Sequence, residues 1–125
     1  TLFIDWVRNA FMAKKKPEVL KNIINWGRNI ASWNREKQKN FLDYCAEMFR
    51  LALLQNYEAD GLVYKKLSKN GFNWQSFTKF VHGANIVDIL EEISAADLHL
   101  YRNANAKIVW TDLGIKLTRF IHKNP

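Results

Sequence analysis

The stretch Leu100-Tyr-Arg-Asn-Ala-Asn-Ala-Lys-Ile-Val-Trp-Thr-Asp-Leu-Gly-Ile-Lys-Leu-Thr-Arg-Phe-Ile121 decides how this chain is read. Two apolar patterns with helical spacing meet at a short polar joint, Arg102-Asn103-Ala104-Asn105. An asparagine side-chain oxygen can accept an orphan N–H of the next turn, so Asn105 is the expected start of the last helix. From it, Val109, Trp110, Leu113, Leu117, Phe120 and Ile121 fall on one side and Ile108 and Ile115 on another. The joint therefore sets the angle at which the final helix docks, with Arg102, Asn103 and Asn105 as its geometry-setting residues.

Working outward, the same period recurs along the whole chain. Leu2, Phe3, Trp6, Val7, Ala10 and Phe11 predict a helix from about Leu2 to Ala13. The run Lys14-Lys15-Lys16 and Pro17 end it, and Pro17 suits the first turn of a second helix reaching about Trp33. Asn34 opens a third helix, which ends near Gln55 or Asn56. Its wide apolar arc (Phe41, Leu42, Cys45, Met48, Phe49, Ala52, Leu53, with Tyr44, Leu51 and Leu54) implies more than one neighbour.

Residues 57–72 carry no clear period and read as a short helix and loop. Asn73 caps a short helix bearing Trp74, Phe77, Phe80 and Val81, with Gly83 as its stop. Asn85 caps another, in which Ile86, Ile89, Leu90, Ile93, Ala96, Leu100 and Ala104 keep helical spacing for five turns. Gly114 lies inside the last helix, where it either permits a close crossing or is merely tolerated at a cost of about 1 kcal/mol against alanine. Strand alternation is absent. The expected fold is all-α: one domain, a bundle of about six helices.

At 125 residues the chain is long enough to bury a core without a disulfide or a metal. The lone Cys45 cannot form an internal disulfide and falls on an apolar face, so it reads as a buried free thiol in a reducing, cytoplasmic setting. No apolar run approaches a membrane span, and Asp5 and Arg8 interrupt any signal-peptide pattern. The chain begins at Thr1, which is compatible with a piece of a longer protein.

Residues suited to catalysis are not grouped. Glycines number only 5, with no phosphate-binding loop among them. His82, His99 and His122 are far apart, and one cysteine makes a structural zinc site untenable. His82 and His122 lie near predicted helix ends, where a cation complements the helix dipole. Glu91 and Glu92 are adjacent and point different ways. Cys45 has no base in sequence reach. The expectation is a non-enzymatic chain with no cofactor, no metal and no small-molecule substrate.

The net charge is +7. Residues 1–50 hold 10 basic and 5 acidic side chains against 9 and 7 in residues 51–125, so the excess sits in the first half. Two readings stay open. Lys14, Lys15, Lys16, Lys21 and Arg28 either form a DNA-proximal basic surface or are a solvated face that aids solubility. Of the tryptophans, Trp6, Trp74 and Trp110 read as core, whereas Trp26 and Trp33 read as flanking.

Two stretches carry a resemblance. Arg35-Glu36-Lys37-Gln38-Lys39-Asn40-Phe41-Leu42, and Arg102-Asn103-Ala104-Asn105-Ala106-Lys107-Ile108 followed by Asp112-Leu113, lie about 60 residues apart. Together they resemble the C-terminal helical domain of the delta-prime subunit of bacterial DNA polymerase III, the first in the form seen in delta-prime proteins of the Bacteroidetes type. The second is similar to a signature shared by clamp-loader subunits, Asn-x-Asn-Pro-Lys/Arg and then Leu or Ile. Here Ala106 stands where proline is usual, a change that affects only the stiffness of the joint.

The resemblance spans nearly the whole chain, least over residues 57–72. It implies an AAA+ nucleotide-binding module before Thr1, and a collar role beside gamma/tau and delta-type subunits in a clamp loader that places the sliding clamp on primed DNA. ATP-site, arginine-finger and zinc residues of the family would belong to that other module. Leu51, Leu54, Ile108 and Ile115 are the candidate subunit interface. The rival is an independent basic helical DNA-binding module.

Overall fold

A computed structural model of the chain describes residues 2–13, 16–57 and 73–125. Among them are six α-helices and no strand: α1 (Leu2–Ala13), α2 (Leu20–Ala31), α3 (Arg35–Tyr57), α4 (Trp74–Thr78), α5 (Ile86–Tyr101) and α6 (Ala106–Ile121). A 3-10 turn, Pro17–Val19, leads into α2. The all-α bundle expected from the periodicity is the fold. Of the short helix and loop expected over residues 57–72, Tyr57 is the last residue of α3 and residues 58–72 lie outside the described residues. No helix among the described residues is long and apolar enough to cross a membrane.

Asparagines start three of the helices by the same local chemistry. Lys37 N–H donates to Asn34 Oδ1 at 2.8 Å, Ser76 N–H to Asn73 Oδ1 at 3.1 Å, and Ile108 N–H to Asn105 Oδ1 at 3.2 Å. Each bond satisfies one of the donors that a helix leaves unpaired at its N-terminus. The caps fix α3, α4 and α6 at Arg35, Trp74 and Ala106.

Around these starts, α6 packs against α2 with one face and α5 with the other. Trp110, Thr111 and Gly114 look toward α2, and Val109, Leu113 and Lys116 toward α5. The α2–α6 crossing is close because both helices place a glycine in it. A Cβ on Gly114 would stand 2.8 Å from Ile23 Cγ2 and 3.2 Å from the Trp26 ring. A Cβ on Gly27 would meet the backbone of Thr111 and Trp110 at 3.0 and 3.2 Å. Gly114 is thus required by the crossing, which explains why α6 carries its propensity cost.

The same approach buries Trp26, contrary to its expected flanking place. Its Nε1–H donates to Leu2 O at 3.0 Å and its ring meets Trp110 edge-on at 5.9 Å between centroids. Trp6 crosses the core from α1 and donates to Gly114 O at 3.2 Å. Phe3 meets Phe49 and Phe77 edge-on at 5.6 and 5.7 Å, joining α1 to α3 and α4. Trp74 and Trp110 are buried as expected. Cys45 is buried on α3, and burial pushes its thiol well above the ordinary cysteine range.

Three further expectations are corrected. The short helix α4 ends at Thr78, so Gly83 stands in an exposed turn well past it. The fifth helix ends at Tyr101, so Ala104 is not part of its stripe. Asn85 occupies the N-cap position of α5 without capping it. Its side chain is fully buried and spent on tertiary bonds: Oδ1 accepts from His82 N–H at 2.9 Å, and Nδ2 donates to Phe80 O and Phe120 O at 2.8 and 2.9 Å. Three bonds to backbone groups in a dry site outweigh one cap bond at a wetter helix end.

His82, expected as a cation at a helix end, is instead buried beside Asn85. Ala84 N–H donates to its Nδ1 at 3.2 Å, so Nε2 carries the proton and donates to Lys123 O at 3.0 Å. His122 Nε2 in turn lies 2.8 Å from Ala10 O. These bonds pin the end of α6 to α1 and to the turn before α5.

Candidate functional site

The joint between α5 and α6 is built by two asparagines with different jobs. Asn103 adopts a φ of 61°. In that left-handed conformation its N–H donates to Leu100 O at 3.1 Å, and the N–H of Ala104 donates to His99 O at 2.9 Å. This pair of bonds is the Schellman closure of a helix, a place where asparagine is tolerated next after glycine. Asn105 then caps α6. The chain turns within three residues, and the first and second asparagines of Asn-x-Asn respectively end one helix and begin the next. Arg102 contributes through its backbone, whose N–H reaches Leu98 O at 3.0 Å, while its side chain is exposed.

Between the two asparagines, the carbonyl of Ala104 is held from outside. Arg35, the first residue of α3, donates from its Nη2 to Ala104 O at 3.1 Å. One turn further along α3, Gln38 is buried, with 1% of its surface exposed. Its Oε1 accepts from Trp110 Nε1 at 2.8 Å and its Nε2 donates to Trp33 O at 2.8 Å. Lys39 adds an exposed ion pair to Asp97 at 3.1 Å, and the bonded Asp97 carboxylate holds the Lys39 ammonium above its ordinary range. Residues 35–39 therefore brace the joint at its carbonyl, at the first turns of α6 and on α5. Both stretches that carry the family resemblance meet here.

Sequence reasoning did not single out Gln38. The signal was its register: Gln38, Leu42, Cys45, Phe49 and Ala52 follow one another at spacings of four and three, so Gln38 opens the buried stripe of α3.

The surface around the joint exposes three large apolar side chains. Tyr101 is 85% exposed, Ile108 67% and Leu98 45%. Leu98 and Tyr101 border a groove of about 450 Å³ between the start of α3 and the end of α5, whose other walls include Arg35, Glu36, Lys39 and Asp97. Ile108 borders a second groove, of about 300 Å³, between α5 and α6. Its floor is Ala95, Ala96, Ala104, Val109 and Leu113, and Lys116 closes one end by bridging Glu92 at 3.4 Å and Asp112 at 3.0 Å. The bonded Asp112 carboxylate raises the Lys116 ammonium above its ordinary range.

The four residues expected at a subunit interface do not form one patch. Ile108 and Leu54 are exposed, whereas Leu51 and Ile115 are half-buried, Leu51 against the core. Leu54 stands sixteen residues after Gln38 on α3, about 24 Å along the helix axis. It is therefore remote from Ile108 and the joint.

Of the basic residues, Lys14 and Lys15 lie outside the described residues. Lys16, Lys21 and Arg28 are exposed, and α2 brings Lys21 and Arg28 to one face. Among the described residues, no group of three or more His, Cys, Asp or Glu side chains could hold a metal ion.

Compared with models of protein families, with curated proteins and with solved structures, the chain finds no match.

Proposed function

We propose that this chain is a subunit-assembly domain of a DNA polymerase III clamp loader, of the delta-prime kind, working in the cytoplasm beside gamma/tau and delta-type subunits. The observation that carries the reading is the meeting of the two family-like stretches: Arg35 donates to Ala104 O and Gln38 bonds Trp110, across 69 and 72 positions of chain. Residues that resemble a family signature for a structural reason are expected to touch, and these do.

In this reading the domain performs no chemistry of its own. ATP binding and hydrolysis belong to AAA+ modules, and this domain supplies a rigid edge for its neighbours. The braced joint holds Leu98, Tyr101 and Ile108 outward in a fixed arrangement, and their burial against an adjacent subunit drives association at about 25 cal/mol for each Å² of apolar surface removed from water. An interface of this kind depends on a few central anchors, among which tyrosine is prominent.

The test is reconstitution with gamma/tau and delta-type subunits, read by size-exclusion chromatography with light scattering. The chain is expected to enter a stoichiometric assembly, and Tyr101→Asp with Ile108→Asp to abolish entry while the isolated domain stays helical by circular dichroism. A wild-type chain that stays apart from those subunits refutes the proposal.

A further inference from the structure

The ion pairs of Lys39, Lys116 and Lys123 lie on one side of the fold. Lys39 pairs with Asp97, Lys116 with Glu92 and Asp112, and Lys123 with Asp88, so every one involves α3, α5, α6 or the residues after α6. The cations of α2 take part in none of these pairs. The helix reads Leu-Lys-Asn-Ile-Ile-Asn-Trp-Gly-Arg-Asn-Ile-Ala and contains no acidic residue. Its two cations, Lys21 and Arg28, have no ion-pair partner among the described residues, and Glu18 in the preceding turn pairs with neither.

Helical geometry places the polar residues of α2 on one arc. Lys21 and Arg28 are seven residues apart, two turns, and so lie almost in line, with Asn25 between them and Asn22 and Asn29 alongside. All five are exposed, while Ile23, Trp26, Gly27 and Ile30 face inward. The arc lies away from the α5–α6 joint, because α2 flanks α6 on the side opposite α5.

From this arrangement we infer that the outer face of α2 is a contact for the sugar–phosphate backbone of a nucleic acid. Lys21 and Arg28 stand about 10 Å apart along the helix. That exceeds the roughly 3.4 Å of duplex axis that separates successive phosphates of one strand, so each cation can neutralise its own phosphate. The amides of Asn25 and Asn29 offer N–H donors to phosphate and sugar oxygens beside them, and such contacts position a protein without reading sequence. Asn22 is committed through its Nδ2 to Asn9 Oδ1 at 3.2 Å, which holds the flank of the arc to α1.

An acidic protein would also be attracted to two free cations. The composition of the arc favours nucleic acid. Its five residues include no aromatic or aliphatic side chain, the one exposed aliphatic residue of the helix being Leu20 at its first position, and protein interfaces rely on such anchors. The inference is independent of the assembly reading, because it uses no residue of the joint.

The experiment is a fluorescence-anisotropy titration of a labelled DNA duplex with the chain at several salt concentrations. Two phosphate contacts predict weak, sequence-independent binding that falls about tenfold for a fourfold rise in salt. Lys21→Gln with Arg28→Gln should reduce the slope of log K against log salt by about 2. Arg50→Gln with Lys79→Gln, which removes the same charge from α3 and the end of α4, should leave that slope in place. Circular dichroism is expected to show both double variants folded, since all four positions are exposed. The inference is overturned if the wild type does not bind duplex at low salt, or if the α2 variant keeps the wild-type slope. It is also overturned if the control variant loses as much as the α2 variant, which would make net charge the cause. Competition by polyglutamate as effective as that by unlabelled DNA overturns it in favour of an acidic protein partner.

Discussion

Gln38 holds Trp110 across the bundle, its side-chain oxygen accepting the indole N–H at 2.8 Å while its amide donates to Trp33 O at the same distance. A single buried amide thus satisfies a donor on α6 and a carbonyl in the turn before α3, and in doing so sets how the start of α3 sits against the first turns of α6.

Replacing that amide leaves two polar groups without partners. Gln38→Leu keeps the bulk of the side chain and removes both bonds, and each orphaned buried group costs about 1–3 kcal/mol. The expected loss is about 2–4 kcal/mol in urea unfolding. Trp110→Phe in the same background removes the orphaned donor, so the double variant should lose less than the sum of the single losses. Additive losses would show that the Gln38–Trp110 bond contributes no coupling.

The α2–α6 crossing makes an unusual prediction about glycine. In an isolated helix Gly114→Ala would stabilise by about 1 kcal/mol. Here the new methyl lands 2.8 Å from Ile23 Cγ2, on a β-branched side chain that cannot swing away. Overpacking of this kind costs about 1–3 kcal/mol before the propensity gain is counted. The net effect should be a lower melting temperature, and Ile23→Ala added to Gly114→Ala should remove the steric part of it. A raised melting temperature for Gly114→Ala alone would show that the crossing has room to spare.

The two asparagines of the joint should both tolerate glycine better than valine, for different reasons. Asn103 has a left-handed backbone, so Asn103→Gly is expected to be neutral or mildly stabilising and Asn103→Val to cost about 1–2 kcal/mol. Asn105 is an N-cap with an extended backbone, so Asn105→Val loses about 1 kcal/mol with the cap bond, and Asn105→Gly only a few tenths. Chemical denaturation of the four variants checks the pattern. A clear loss for Asn103→Gly, or no loss for Asn105→Val, would contradict the division of labour between them.

Cys45 gives the domain a pH dependence on the alkaline side. Burial raises the folded thiol above its unfolded value, so the unfolded chain loses a proton that the folded chain keeps. The stabilisation is fully present below the ordinary thiol range, and is lost as pH rises through it toward the folded value. The slope contributed by this one group is about −1.4 kcal/mol for each pH unit above pH 9. Urea midpoints measured for the wild type and Cys45→Ala between neutral and alkaline pH isolate it: the variant is less stable at neutral pH but should lack this part of the slope. A thiol reagent at neutral pH should modify Cys45 only as fast as the domain opens.

How much of this was legible in the sequence follows from the range of each interaction. The helices, their amphipathic faces and the caps at Asn34, Asn73 and Asn105 were readable, because each depends on residues within about one turn. The sequence by itself also determined that Asn105 opens the last helix, whereas the start of α2 at Leu20, past Glu18, and the end of α5 at Tyr101 were decided in the structure. Tertiary structure alone decided the roles of Gln38, Asn85, His82, Trp26 and Gly27. Asn85 has the signature of a cap, yet once folding brings the carbonyls of Phe80 and Phe120 beside it in a dry interior, those bonds outweigh the local one. Trp26 lies two residues after Ile24 and reads as flanking until Gly114 lets α6 approach closely enough to cover it. Local periodicity specifies which side of a helix is apolar. Only the packed bundle specifies which neighbour meets that side, how closely, and which polar atoms must then find partners without water.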